Sequence, residues 1–162
     1  MDIVVTTPKY EMKTAADEAA YALERGGFYF RSFKSMPKVQ AGDRVYYVDD
    51  GWIRGFAIAA LVEENVTQIC EVTGRVWNGC TVHMRVDSWT WIYPISCTGF
   101  QGFRYASGCV PAGVRIVGNW KDPRPRFWQV ENNGRRSSPS GEWCFYDSKE
   151  ECDDHQGCGF HT

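Results

Sequence analysis

One helical segment followed by a long succession of short strand-like runs, each stopped by glycine, proline or a polar turn, narrows the possible folds of this chain more than anything else in it. Strands this short cannot hide their apolar faces singly, and one helix covers only part of a sheet. The sheet must therefore curl on itself. The sequence predicts an α+β fold: a small, partly open β-barrel with a flanking helix and an irregular C-terminal arm.

Ile3-Val4-Val5 reads as a first strand. Thr7-Pro8 then supplies a capping hydroxyl and a first-turn proline. Met12, Ala15, Ala16, Ala19, Ala20 and Leu23 recur at helical spacing, and Gly26-Gly27 ends the helix. Strands are expected over 28–33, 43–48, 52–62, 69–77, 81–86, 89–95 and 114–117, with Asp50-Gly51 as the best-marked hairpin turn. Gly42-Asp43 turns the chain into one of these strands. Gly55 leaves a side-chain gap inside another, the mark of a bulge or of a close approach by a flat group.

At 162 residues and 43% apolar, the chain is long enough for one domain to hide about two-thirds of its unfolded surface. The expected division is a domain over 1–120 and an extension over 121–162. A net charge of −2 excludes a strongly basic nucleic-acid binder, so any anion site must be local. Arg115, Lys121, Arg124, Arg126, Arg135 and Arg136 make one such region, interleaved with Phe127 and Trp128, and the acidic stretch after Gly141 reverses the sign. The odd count of 7 cysteines, with no signal-like segment before Ile3 and no apolar run of membrane-spanning length, predicts a soluble, cytoplasmic protein without a membrane partner.

From Gly79 to Tyr105 aromatic residues are dense: Trp89, Trp91, Tyr93, Phe100, Phe103 and Tyr105, separated by polar residues and glycines. Tryptophan offers a flat face and an N–H that needs a partner, which suits a ring-binding pocket. Strand alternation puts Trp89 and Trp91 on one face, which is either the barrel core or a ligand site. Trp77, beside Asn78-Gly79, is expected at a turn. Ser32, Gln101 and Phe103 are candidate base contacts, and Arg31, Lys34 and Arg104, with Arg124 and Arg126 beyond them, are candidate phosphate contacts.

"AGDRVYYVDDGWIRGFAIAALV", from Ala41 to Val62, resembles the Gly-Asp-centred hairpin of EVE and ASCH domains in the PUA-like superfamily. "WTWIYPISCTGFQGFRY", from Trp89 to Tyr105, is similar to their closing strand and loop. The resemblance covers roughly residues 1 to 120. It implies a partly open barrel whose cleft binds RNA, DNA or a modified base, as YTH readers do in an aromatic cage, and Trp77, Trp89 and Trp91 are the cage candidates.

Certain ASCH proteins instead hydrolyse a modified cytidine with a lysine in a Gly-x-Lys-x-x-x-Arg pattern. Here "GGFYFR" places Phe28 where that lysine would stand, leaving Lys34 with Glu63 as the alternative catalytic pair. The expectation is thus a base-binding module without cofactor, with a nucleoside hydrolase or a protein–protein adaptor as alternatives. In the arm, Cys152, His155, Cys158 and His161 recur at every third position and are the candidate metal ligands, although the usual Cys-x-x-Cys knuckle is absent.

Overall fold

In the computed structural model of the protein, residues 1–7, 15–25, 29–49, 51–69 and 74–122 are described, with four two-residue strands beyond them. The chain forms two units, Met1–Asp122 and Pro123–Thr162. The first holds β1 (Ile3–Thr6), α1 (Ala15–Arg25), β2 (Tyr29–Phe33), β3 (Arg44–Asp49), β4 (Trp52–Ile69), β5 (Val76–Met84), β6 (Thr90–Ser96), β7 (Phe103–Tyr105), a 3-10 turn at Ala106–Gly108 and β8 (Ile116–Asn119). In the second, β9 (Phe127–Trp128) pairs with β12 (Cys144–Phe145), and β10 (Glu131–Asn132) with β11 (Arg135–Arg136).

The strands of the first unit form one curled sheet in the order β2-β5-β4-β3-β1-β7, with β6 joined to β4 and β8 joined to β6. β4, at 18 residues, organises it. Its first half pairs with β3 and with β6, and its second half with β5. A strand that exchanges one neighbour for another along its length has to bend. The bend coincides with a bulge at Arg54, which is skipped in the registers with both β3 and β6.

Gly55 is the residue after that bulge, and here a close approach accompanies it. A Cβ there would stand 2.5 Å from the Thr90 carbonyl oxygen and 2.5 Å from Cζ2 of Trp89. The missing side chain is therefore the seat of an indole. Gly42, with φ of 95°, turns the chain as expected, while Asp43 accepts the Gln40 backbone N–H at 2.8 Å.

The half-barrel closes through side chains. β2 and β7 end the strand path, and Phe33 of one meets Phe103 of the other edge-on at 5.3 Å between ring centroids. Beside them, the Lys38 backbone N–H donates to the Tyr105 hydroxyl at 3.2 Å. The concave side holds the first core, which includes Ile3, Val5, Ala19, Tyr29, Val45, Tyr47, Val82, Met84, Trp89 and Trp91. A second core lies on the opposite faces of β1, β3 and β4 around Val4, Tyr46, Ile53, Phe56 and Ile92, with Phe100, Cys97 and Cys109 against it.

The described residues thus have the expected mostly-β, barrel-like architecture, with one short helix among them. It departs from the sequence reading at β4 and β5, which form one long hairpin to Ile69 and from Val76 where separate strands over 69–77 and 81–86 were expected. Leu61, Ile69 and Val76 are exposed there, so the outer hairpin lacks the one-sided burial that makes a strand readable. β7 occupies a stretch for which the sequence predicts no strand, held as an antiparallel partner of β1. No helix among the described residues is long and apolar enough to cross a membrane.

The contact at Gly55 makes a direct prediction. Gly55→Ala forces backbone and indole apart, an overpacking of the kind that costs about 1–3 kcal/mol or more. Urea unfolding should show that loss, and an unchanged midpoint would show that the indole is not seated there.

Candidate functional site

The concave face of the sheet is unusual for a core because it is both aromatic and polar. Alternation along β2 turns Tyr29, Arg31 and Phe33 to one side. Tyr29 and Phe33 belong to the first core, and Arg31 lies with Tyr47, its guanidinium carbon 5.0 Å from the centre of that ring. Tyr47 packs edge-on against Trp89 at 5.7 Å, and Trp89 stands perpendicular to Trp91 at 5.3 Å. One contact thus leads to the next from the arginine to the second indole.

Glu18, from α1, completes the group. Arg31 Nη1 donates to both carboxylate oxygens at 2.9 Å each, and to the Phe30 carbonyl at 3.1 Å. The pair is mostly withdrawn from solvent, at 17% exposure for Arg31 and 10% for Glu18. Burial alone would lower the arginine's pKa, but Tyr47 and Glu18 outweigh it and the net direction is upward. Burial, reinforced by Tyr47 and Glu18, raises the Tyr29 pKa well above the usual tyrosine value, and burial likewise raises that of Tyr47.

Five polar atoms in this chain of contacts have no hydrogen-bond partner among the described residues: Trp89 Nε1, Trp91 Nε1, Arg31 Nε and the hydroxyls of Tyr29 and Tyr47. Each buried, unpaired polar group costs about 1–3 kcal/mol. Native interiors carry few of them. Their concentration on one face marks this interior as the candidate site, and its chemistry is that of a neutral, donor-rich aromatic box.

The structure places the sequence candidates differently from one another. Trp89 and Trp91 share a face, but at 3% and 4% exposure they line the interior and not an open cage, because Gly55 draws Trp89 down onto the sheet. Trp77 is not with them. It sits opposite Gln68 on the outer hairpin, under the Arg75 guanidinium at 4.3 Å. Arg31 is engaged by Glu18 and is not presented as a surface phosphate contact. Ser32 faces away from it, in register with Thr81 on the other side of the sheet.

Phe103 belongs to the Phe33 seam, while Arg104 turns outward with its guanidinium 4.4 Å from the Phe100 ring centre. Gln101 and Lys34 are exposed. Glu63 pairs with His83 at 2.9 Å, and Lys34 forms no ion pair among the described residues. Arg124, Arg126, Cys152, His155, Cys158 and His161 lie outside the described residues. Among those that are described, no cluster of His, Cys, Asp and Glu could hold a metal ion.

Sequence reading missed Glu18, Tyr29 and Tyr47. A signal for two of them existed: Tyr29-x-Arg31-x-Phe33 and Val45-x-Tyr47 alternate, and extending that alternation inward brings both hydroxyls to the concave face. For Glu18 there was none, since a glutamate on a helix is ordinarily solvated. Compared with family models, curated proteins and solved structures, the chain gives no significant match.

Two predictions follow from these geometries. Glu18→Gln or Arg31→Met leaves the other partner buried without its counter-charge, a loss of about 3–5 kcal/mol, whereas the double variant should recover much of it. A double-mutant cycle measured by urea unfolding checks this. Tyr29→Phe and Tyr47→Phe should each leave the free protein as stable as before or up to about 1–3 kcal/mol more stable, because an unpaired hydroxyl is removed.

The same tyrosines set an alkaline limit. Their folded pKa values lie above the unfolded value of about 10, so their ionisation takes nothing from stability below about pH 10 and lowers it as the pH rises from there through the folded values. Ultraviolet difference spectra should show a late tyrosine ionisation coincident with unfolding, absent from the double Tyr→Phe variant.

Proposed function

We propose that this chain is a nucleic-acid-binding module that takes one unpaired or flipped base, plain or modified, into the aromatic interior of the half-barrel. The observation that carries the reading is the set of unpartnered donors on Trp89, Trp91 and Arg31 beside the hydroxyls of Tyr29 and Tyr47. A planar heterocycle supplies what that set lacks, with ring faces for the indoles and polar edges for the N–H and O–H groups. Stacking on aromatic side chains contributes about 1–3 kcal/mol per base, enough to offset much of the cost of extruding one.

The resemblance of Ala41–Val62 and Trp89–Tyr105 to EVE and ASCH domains of the PUA-like superfamily supports the same reading, since such barrels hold nucleic acid in a cleft. Exposed cations are at hand for the backbone: Lys34 on the bend after β2, and Arg104 on the outer side of β7. Cys80, Cys97 and Cys109 are free thiols, in keeping with a reducing cytoplasmic setting.

Tryptophan fluorescence titrated with single-stranded oligonucleotides at low salt tests the proposal. Quenching should saturate, weaken as salt is raised, and fall in Trp89→Phe and Trp91→Phe. Lys34→Gln and Arg104→Gln should weaken binding across sequences and flatten the salt dependence, by about one unit of slope for each phosphate contact removed. Absence of binding at high micromolar concentration in low salt would end the proposal.

A further inference from the structure

We infer that the ligand of this interior site is a neutral heterocycle whose edge accepts hydrogen bonds, a keto-pyrimidine or keto-purine and not an amino base. The inference rests on the base-binding reading above and narrows it to a chemical class.

The donor and acceptor inventory decides the class. Indole Nε1 and guanidinium Nε can only donate. Trp89, Trp91 and Arg31 therefore contribute three groups that need an acceptor, while Tyr29 and Tyr47 can act in either sense. The carboxylate of Glu18 is the one strong acceptor in the chain of contacts among the described residues, and both its oxygens already receive Arg31 Nη1. A ring carbonyl or an unprotonated ring nitrogen satisfies each indole N–H, and the ring N–H beside a carbonyl can donate to a tyrosine hydroxyl. An exocyclic amine opposite an indole or the guanidinium would instead set donor against donor and leave those buried N–H groups unpaired.

Charge points the same way. Glu18 and Arg31 neutralise each other, and the tyrosines stay protonated because burial raises their pKa values. Among the described residues of this face no cation is left over to balance an anionic guest, so a neutral carbonyl edge fits where a carboxylate or free phosphate does not.

The full chain is titrated with uridine and inosine, then with cytidine and adenosine, following tryptophan fluorescence and confirming by calorimetry. The keto nucleosides should bind at least about tenfold more tightly. Trp89→Phe and Trp91→Phe should weaken uridine binding by a larger factor than cytidine binding, whereas Trp120→Phe, at an exposed ring, should change neither. If either indole variant fails to fold, Tyr47→Phe replaces it, because it removes a hydroxyl without altering the ring.

Equal or tighter binding of cytidine and adenosine overturns the inference and leaves the base-binding reading standing. Competition by acetate or inorganic phosphate at lower concentration than uridine overturns the neutral class. If no nucleoside of either kind binds while single-stranded oligonucleotides do, the interior is a hydration site only and this inference fails. If neither nucleosides nor oligonucleotides bind, the underlying reading fails as well.

Discussion

The seating of the Trp89 indole on the bare α-carbon of Gly55 is the contact on which the rest of the structure turns. Gly55 follows the bulge at Arg54, where β4 bends between its early partners, β3 and β6, and its later partner, β5. A side chain at this point would occupy the space of the ring and of the Thr90 carbonyl together. Without one, the start of β6 lies close to β4, and alternation carries Trp91 to the same concave face. Tyr47, in register with Gly55 on β3, then meets Trp89 edge-on. The curvature of the sheet and the chemistry of its interior thus share one cause.

Local patterns made much of the fold readable. The alanine-rich periodicity gave the helix, and the Asp50-Gly51 turn gave the β3–β4 hairpin, because each is dictated by residues close in sequence. The outer part of β4 was harder to see, since Glu63, Glu64 and Asn65 interrupt any alternation. Its order comes from backbone pairing with β5. β7 was hidden for a related reason: three residues after a glycine-rich loop carry no periodicity, and only their registration on β1 makes them a strand.

The site was legible in part. Trp89 and Trp91 could be placed on a common face from spacing alone, but whether that face was open or closed depended on Gly55, through a contact between distant parts of the sequence. Arg31 looked like a surface cation because arginine usually is one. Its inward direction was implied by the alternation with Tyr29 and Phe33, yet its tolerance there depends on Glu18, which stands 13 residues earlier on α1. Long-range pairing of charges is the kind of information that a linear pattern does not contain.

The second core gives the sheet an unlike pair of faces. It is aliphatic and aromatic around Ile53, Phe56 and Ile92, and its thiols lie at the margin, where burial raises the pKa of Cys97 and Cys109 adds to the shift while Arg104 opposes it. One face is therefore saturated with apolar contacts, while the other keeps polar capacity in reserve. The seam between β2 and β7 belongs to that second kind of face. Edge-on ring pairs of the Phe33–Phe103 type are worth only about 0.5–1.5 kcal/mol beyond their area. Parting the barrel along this line breaks ring contacts and the Lys38–Tyr105 bond but no rung of a strand ladder, so the wall that carries Arg31 meets β7 without any backbone-to-backbone pairing.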